Sequence, residues 1–126
     1  VGSEMCIRDR GTFVGRHTHI ACIEDGSELI IGGHGMISSY CQIRTGDSHS
    51  ITDLDGNRIN PAASVHIGEH CWLGEGSKVM KGVSLGQDSV VSTGAIVTKS
   101  YSSNVLLGGI PAKVLKDNIN WNEKRI

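Results

Sequence analysis

His49 combines a reactive side chain with an unexpected position, in the stretch TGDSHSITD at residues 45–53. The pattern on either side calls for an aliphatic residue there. A histidine side chain, whose ordinary pKa is about 6.5, can accept a proton from a hydroxyl near neutral pH and pass it to a departing group. Such a base needs a partner on its other ring nitrogen. Asp47, two residues upstream, shares a face with His49 if the backbone is extended, and a backbone carbonyl can serve equally. The sequence leaves both open. An oxyanion formed during the reaction would need a donor, such as a backbone N–H of a facing segment.

Residues 45–64 contain Gly46, Asp47, Asp55-Gly56-Asn57 and Pro61, all turn formers, and read as one loop. An excursion of that length from a compact scaffold is more often functional than decorative. The other histidines carry weaker signals. His66 and His70 are four apart, which on an extended chain does not put them on one face, whereas His17 and His19 alternate and can share one. No arrangement supplies three convergent ligands, so no metal is expected. Cys41 and Cys71 read as small buried residues rather than nucleophiles.

The elements that must position His49 follow from a repeat. Ile31, Ile37 and Ile43 recur every six residues, and Ile67, Leu73, Val79, Leu85, Val91 and Val97 recur at the same interval. A helix would show a period of about 3.6 and a surface strand a period of 2, and neither fits. Four residues after the aliphatic comes a mostly small side chain: Cys71, Ser77, Val83, Ser89, Ala95. This is the pattern of a three-sided solenoid, each unit one flat side and each aliphatic residue pointing to the axis. Aliphatic ladders then bury apolar surface without large aromatics.

Composition agrees. The 126 residues include 17 glycines and only 4% aromatics, which favours repeated tight turns over a conventional core. The 12 basic and 13 acidic residues nearly balance, giving no nucleic-acid or polybasic membrane surface. No apolar run has the length of a membrane-spanning helix. Four cysteines without a CxxC pair fit a reduced, cytoplasmic compartment. Residues 1–9, VGSEMCIRDR up to the junction at Arg10, read as a sequencing-adaptor scar. Residues 10–107 are then the solenoid domain, and 108–126 a terminal cap in which AKVLKDNINW is expected to form a short helix.

The stretch IGEHCWLGEGSKVMKGVSLGQDSVVSTGAIVTKS, followed by GGIPAKVLK, resembles the hexapeptide-repeat acyltransferases. It is most similar to the branch holding maltose and galactoside O-acetyltransferases and polysaccharide O-acetyltransferases. The resemblance implies an all-β, left-handed parallel β-helix, an exception to the right-handed crossover rule. It also implies a homotrimer with active sites between subunits, and acetyl-CoA as acyl donor to a sugar hydroxyl. In those enzymes the catalytic histidine lies just before such a loop, and His49 matches it. The hydroxyl then attacks the thioester directly, without an acyl-enzyme.

Carried over by position, donor contacts fall at Glu75 and Thr93 through the main chain, at Thr98 and Lys99, and at Lys113 and Lys116 near the nucleotide end. Ammonium groups can meet phosphates as point charges. An asparagine that contacts the acceptor in the sugar acetyltransferases has no counterpart in GRHTHI, where His17 or Thr18 would replace it. Trp72 would either wall the site or pack against a neighbouring subunit. The rivals are an N-acyltransferase acting on an amino sugar and a non-catalytic trimeric scaffold.

Overall fold

The computed structural model describes residues 5–126. Fourteen strands follow in chain order: β1 (Met5–Arg8), β2 (Phe13–Val14), β3 (His19–Ala21), β4 (Glu28–Ile31), β5 (Met36–Ile37), β6 (Gln42–Arg44), β7 (Val65–Ile67), β8 (Trp72–Leu73), β9 (Lys78–Val79), β10 (Ser84–Leu85), β11 (Val90–Val91), β12 (Ile96–Val97), β13 (Leu106–Gly108) and β14 (Lys113–Lys116). They sort into three flat sheets, one per side of the prism. Sheet A is β1-β4-β7-β10, sheet B is β14-β13-β11-β8-β5-β2, and sheet C is β12-β9-β6-β3. Every pairing is parallel except β13 with β14. The chain winds A to B to C as a left-handed parallel β-helix.

The six-residue repeat explains the register. Ile31 pairs with Ile67, Ile37 with Leu73, Ile43 with Val79, Leu73 with Val91 and Val79 with Val97, so identical repeat positions stack. All nine in-phase aliphatics are no more than 3% exposed, which makes them the core. Each contributes about 1.5–3 kcal/mol of burial. The small residues four positions on, Cys71, Ser77, Val83, Ser89 and Ala95, are buried as well and fill the corners of the prism.

Met5–Arg8, within the segment read as an adaptor scar, form β1 and pair with β4. Residues 1–4 of that segment lie outside the described residues. At the other end the expected short helix is absent. Lys113–Lys116 instead form β14, which folds back antiparallel on β13. The turn at residues 109–112 delivers Val114 and Leu115, both compatible with extended backbone, to the open edge of β13, where pairing satisfies the edge groups. Asn118 then takes a positive φ of 54°, which stops any helix there. Beyond it, Ile119 N–H donates to Asn104 O and Asn104 Nδ2 donates back to Ile119 O. Trp121 Nε1 donates to His70 O at 2.7 Å, and its ring stacks on His70 with centroids 4.3 Å apart. The tail is therefore an extended cap running back along the corner between sheets A and B.

Candidate active site

The break in the repeat is a loop leaving the corner between sheets C and A. Thr45 and Ala63 form its neck: Ala63 N–H donates to Thr45 O at 2.8 Å, and the fully buried Thr45 hydroxyl is tied to Ile23 and Ser27. The outer part is a small hairpin. Thr52 bridges Arg58, Ile59 N–H donates to Ile51 O, and Asp53 Oδ1 accepts from the N–H groups of Asp55 and Asn57.

A buried residue organises the loop. Asn60 is 6% exposed and uses both ends of its amide. Its Nδ2 donates to His49 O and to Asp47 Oδ2, each at 2.9 Å. Its Oδ1 accepts from Ile51 N–H and Arg58 Nε. Arg58 in turn grips Glu24 with two hydrogen bonds, at 2.7 and 2.6 Å, which fastens the hairpin to the preceding coil. Lys81 Nζ donates to Asp47 Oδ2 at 2.8 Å from the neighbouring coil. His49 is thus fixed through its backbone, while its side chain is exposed.

The imidazole itself receives no hydrogen bond among the described residues. Asp47, one of the two expected orienting groups, is engaged instead by Lys81 and Asn60, and these two bonds, in that order, hold its pKa below the usual aspartate value. A carboxylate with a lowered folded-state pKa stabilises the clasp fully above the ordinary value of about 3.9, and that contribution is lost as pH falls through the lowered value. Acidification through that window is therefore expected to lower the protection of the Ile51 amide, measured against its intrinsic exchange rate at each pH, since that N–H is held by Asn60. Asp47→Asn should make that amide fast already at neutral pH and remove the acid response. An Ile51 amide equally protected in Asp47→Asn would show that the clasp does not depend on the charge.

The residues expected to contact the donor lie elsewhere on the prism. Trp72 sits on the outer face of sheet B, 38% exposed, with its indole 5.8 Å from that of Trp121. It walls a groove of about 400 Å³ together with Gly74, Ser92, Thr93 and Leu106. Glu75 and Thr93 stack at the corner between sheets B and C, where Gly94 N–H donates to Glu75 O at 2.9 Å. Thr98 and Lys99 follow β12 and are exposed, and Lys113 and Lys116 are exposed on β14. Of the acceptor candidates, Thr18 spends its hydroxyl on the backbone, donating to Ser38 O and accepting from Cys41 N–H. His17 stacks on Tyr40 with centroids 5.0 Å apart.

The chain therefore carries its candidate residues apart, with His49 and Asp47 at the C–A corner, Trp72, Glu75 and Thr93 on sheet B and the B–C corner, and Thr98 and Lys99 after β12. Sequence reasoning missed Asn60, Arg58 and Lys81, because their roles depend on contacts across the loop and between coils. Three further reactive groups are accounted for locally. His66 pairs with Glu28 and His70 with Asp88, and burial pushes the Cys71 thiol up to about 11.

A profile described as the hexapeptide repeat of succinyl-transferase matches residues 64–99. Residues 64–99 therefore carry a repeat similar to that family's. The chain is similar, at 35% identity over 125 residues, to a polysialic acid O-acetyltransferase of Escherichia coli O1:K1, covering 95% of the chain and 41% of that relative. It is 32% identical over 110 residues to a galactoside O-acetyltransferase of Lactococcus lactis, covering 87% and 52%. Among solved structures, the polysialic acid O-acetyltransferase OatWY superposes with a TM-score of 0.90 at 31% identity, covering 98% of the chain and 59% of that structure. The chain spans about half the length of the curated relatives it matches. Among the described residues no helix is long and apolar enough to cross a membrane.

Proposed function

We propose that the chain carries the donor groove and catalytic base of a CoA-dependent O-acetyltransferase that acetylates a sugar hydroxyl. The observation that carries this reading is His49, held by its backbone at the neck of the only long loop among the described residues, in a chain aligned almost throughout with a sugar-polymer O-acetyltransferase. The imidazole removes the proton from the acceptor hydroxyl as its oxygen attacks the thioester carbonyl. The tetrahedral intermediate collapses, the C–S bond breaks, and the thiolate takes the proton from the imidazolium. Acetyl ester and free CoA are the products, and no metal or acyl-enzyme enters.

The separation of these candidate residues supports a homotrimer. In it the C–A corner of one subunit faces sheet B of the next, so that His49 meets an acetyl-CoA lying along Trp72, Glu75 and Thr93 of its neighbour. Thr98, Lys99, Lys113 and Lys116 then serve the pantetheine arm and phosphates. Asp47 fixes the loop rather than the ring. Cys41 and Cys71, both buried thiols, suit a cytoplasmic site, where thiols stay reduced and acetyl-CoA is at hand.

Calorimetric titration of CoA tests the reading without a guess at the acceptor. Binding at about micromolar Kd is expected, weakened roughly tenfold in Lys113→Ala. A folded, trimeric sample that fails to bind CoA up to about 1 mM would return the chain to the scaffold class.

A further inference from the structure

Arg44 ends β6, five residues before His49, and its side chain points outward from sheet C. Its Nη2 donates to Ser48 Oγ at 2.9 Å, which places the guanidinium beside the residue that precedes the proposed base. Its Nε is buried and has no hydrogen-bond partner, the one such side-chain atom among the described residues. Native structures rarely leave a buried donor unpaired, and a charged one is the most costly to leave so. Arg44 also forms no ion pair among the described residues, since the nearby Asp47 carboxylate is taken by Lys81 and Asn60.

The guanidinium lines a cavity of about 260 Å³, bounded also by Gln42, Gly46, Asp47, Met80 and Lys81. Two cations and one carboxylate meet there, leaving an excess of positive charge next to His49. A planar fork of N–H donors with an unmet valence fits a carboxylate, which it can hold with two parallel bonds. Gln42, two residues before Arg44 on the same outward face of β6, adds an uncharged donor and acceptor to the lining.

We propose that the cavity at Arg44 is an acceptor subsite that selects an acidic sugar by its carboxylate. The assignment rests on the acetyltransferase reading and narrows its acceptor to polymers or glycans bearing sialic or uronic acid units. The carboxylate docks on Arg44 and holds the ring so that one of its hydroxyls lies at His49. The charge of Lys81 stays with Asp47 and the loop, so Arg44 is the residue that distinguishes an acidic acceptor from a neutral one.

Saturation-transfer NMR on the full chain reads this directly, with a sialic acid tetramer, a hyaluronan tetrasaccharide and the carboxyl-reduced sialic acid tetramer as probes. At least one acidic probe is expected to bind, and the reduced tetramer to bind roughly tenfold more weakly or not at all. Arg44→Gln should weaken the acidic probe by about the same factor, with Arg44→Lys in between because it keeps the charge and loses the fork. Thermal unfolding of each variant confirms that it is folded.

Equal binding of acidic and reduced tetramers, no binding of any probe, or an unchanged affinity in Arg44→Gln would each overturn the assignment. CoA titration of the same samples separates the two ideas. CoA binding that is intact in Arg44→Gln places the loss on the acceptor side. Weakened CoA with unchanged sugar binding would make Arg44 a donor-phosphate contact and overturn the subsite. A wild-type chain that binds no CoA defeats the acetyltransferase reading, while the sugar data still decide for or against Arg44.

Discussion

His49→Ala is expected to lower acetyl transfer by roughly 10²–10⁴-fold, the range that a positioned general base supplies. CoA affinity should stay within about twofold, because none of the residues proposed for the donor hydrogen-bonds or pairs with the His49 side chain. The split matters. A variant that lost both activity and CoA binding would point to a collapsed loop, since His49 O is one of the two acceptors of Asn60 Nδ2. That carbonyl survives the alanine substitution, so the clasp should survive with it. Asn60→Ala gives the converse test. It leaves the imidazole present and removes the groups that hold His49 O, Asp47 and Ile51 in place. The two variants should share a low rate and differ in loop protection, with fast exchange at Ile51 in Asn60→Ala alone. Transfer by His49→Ala within a factor of about ten of the wild-type chain would mean that the base lies elsewhere.

The solenoid was legible because its physics is local and repeated. A coil six residues on a side has one inward position per side, and Ile31, Ile37 and Ile43 announce it long before any contact is known. The same regularity made the interruption at His49 visible. What the sequence concealed is tertiary. Asn60 reads as one more polar loop residue beside Pro61, yet it is 6% exposed and joins three segments of the loop. Asp47 reads as one of two candidate partners of the imidazole, because Asp47 and His49 alternate along the chain. Lys81, thirty-four residues away in sequence and one coil away in space, claims its carboxylate instead. The cap misled for another reason. AKVLKDNINW has a composition that either state accepts, and the unpaired edge of β13 decided in favour of a strand.

Gly68→Ala is expected to destabilise the repeat by about 3 kcal/mol, because overpacking here meets backbone rather than a movable side chain. Gly68 follows Ile67, and a Cβ added there would lie 2.6 Å from Gln87 N and 2.9 Å from Gln87 Cα. Gly32, one coil below, stands in the same relation to Glu69 N at 2.6 Å, so the coils touch along a column of glycines. Relief requires coils to separate. The bonds that join them there, Gly68 N–H to Leu85 O and Gly32 N–H to Ile67 O, are each 2.8 Å and have no slack. Gly76→Ala is the control. Gly76 has a positive φ of 71° with nothing within 4 Å of an added Cβ, so alanine there costs only the left-handed conformation, about 1 kcal/mol. Urea midpoints should therefore fall in the order wild type, Gly76→Ala, Gly68→Ala, with the last losing about 10 °C in thermal unfolding. Equal losses in the two variants would mean that the coils give way easily, and a scaffold that gives way could not hold a loop base against a groove on a neighbouring subunit. The position of Gly68 sharpens this link. It immediately follows β7, the strand on which the chain resumes its repeat after the loop, with Val65 fully buried at its start. Displacement at Gly68 therefore reaches the neck at Ala63 and Thr45, and transfer should fall in Gly68→Ala at temperatures where the chain is still folded, while Gly76→Ala retains its rate.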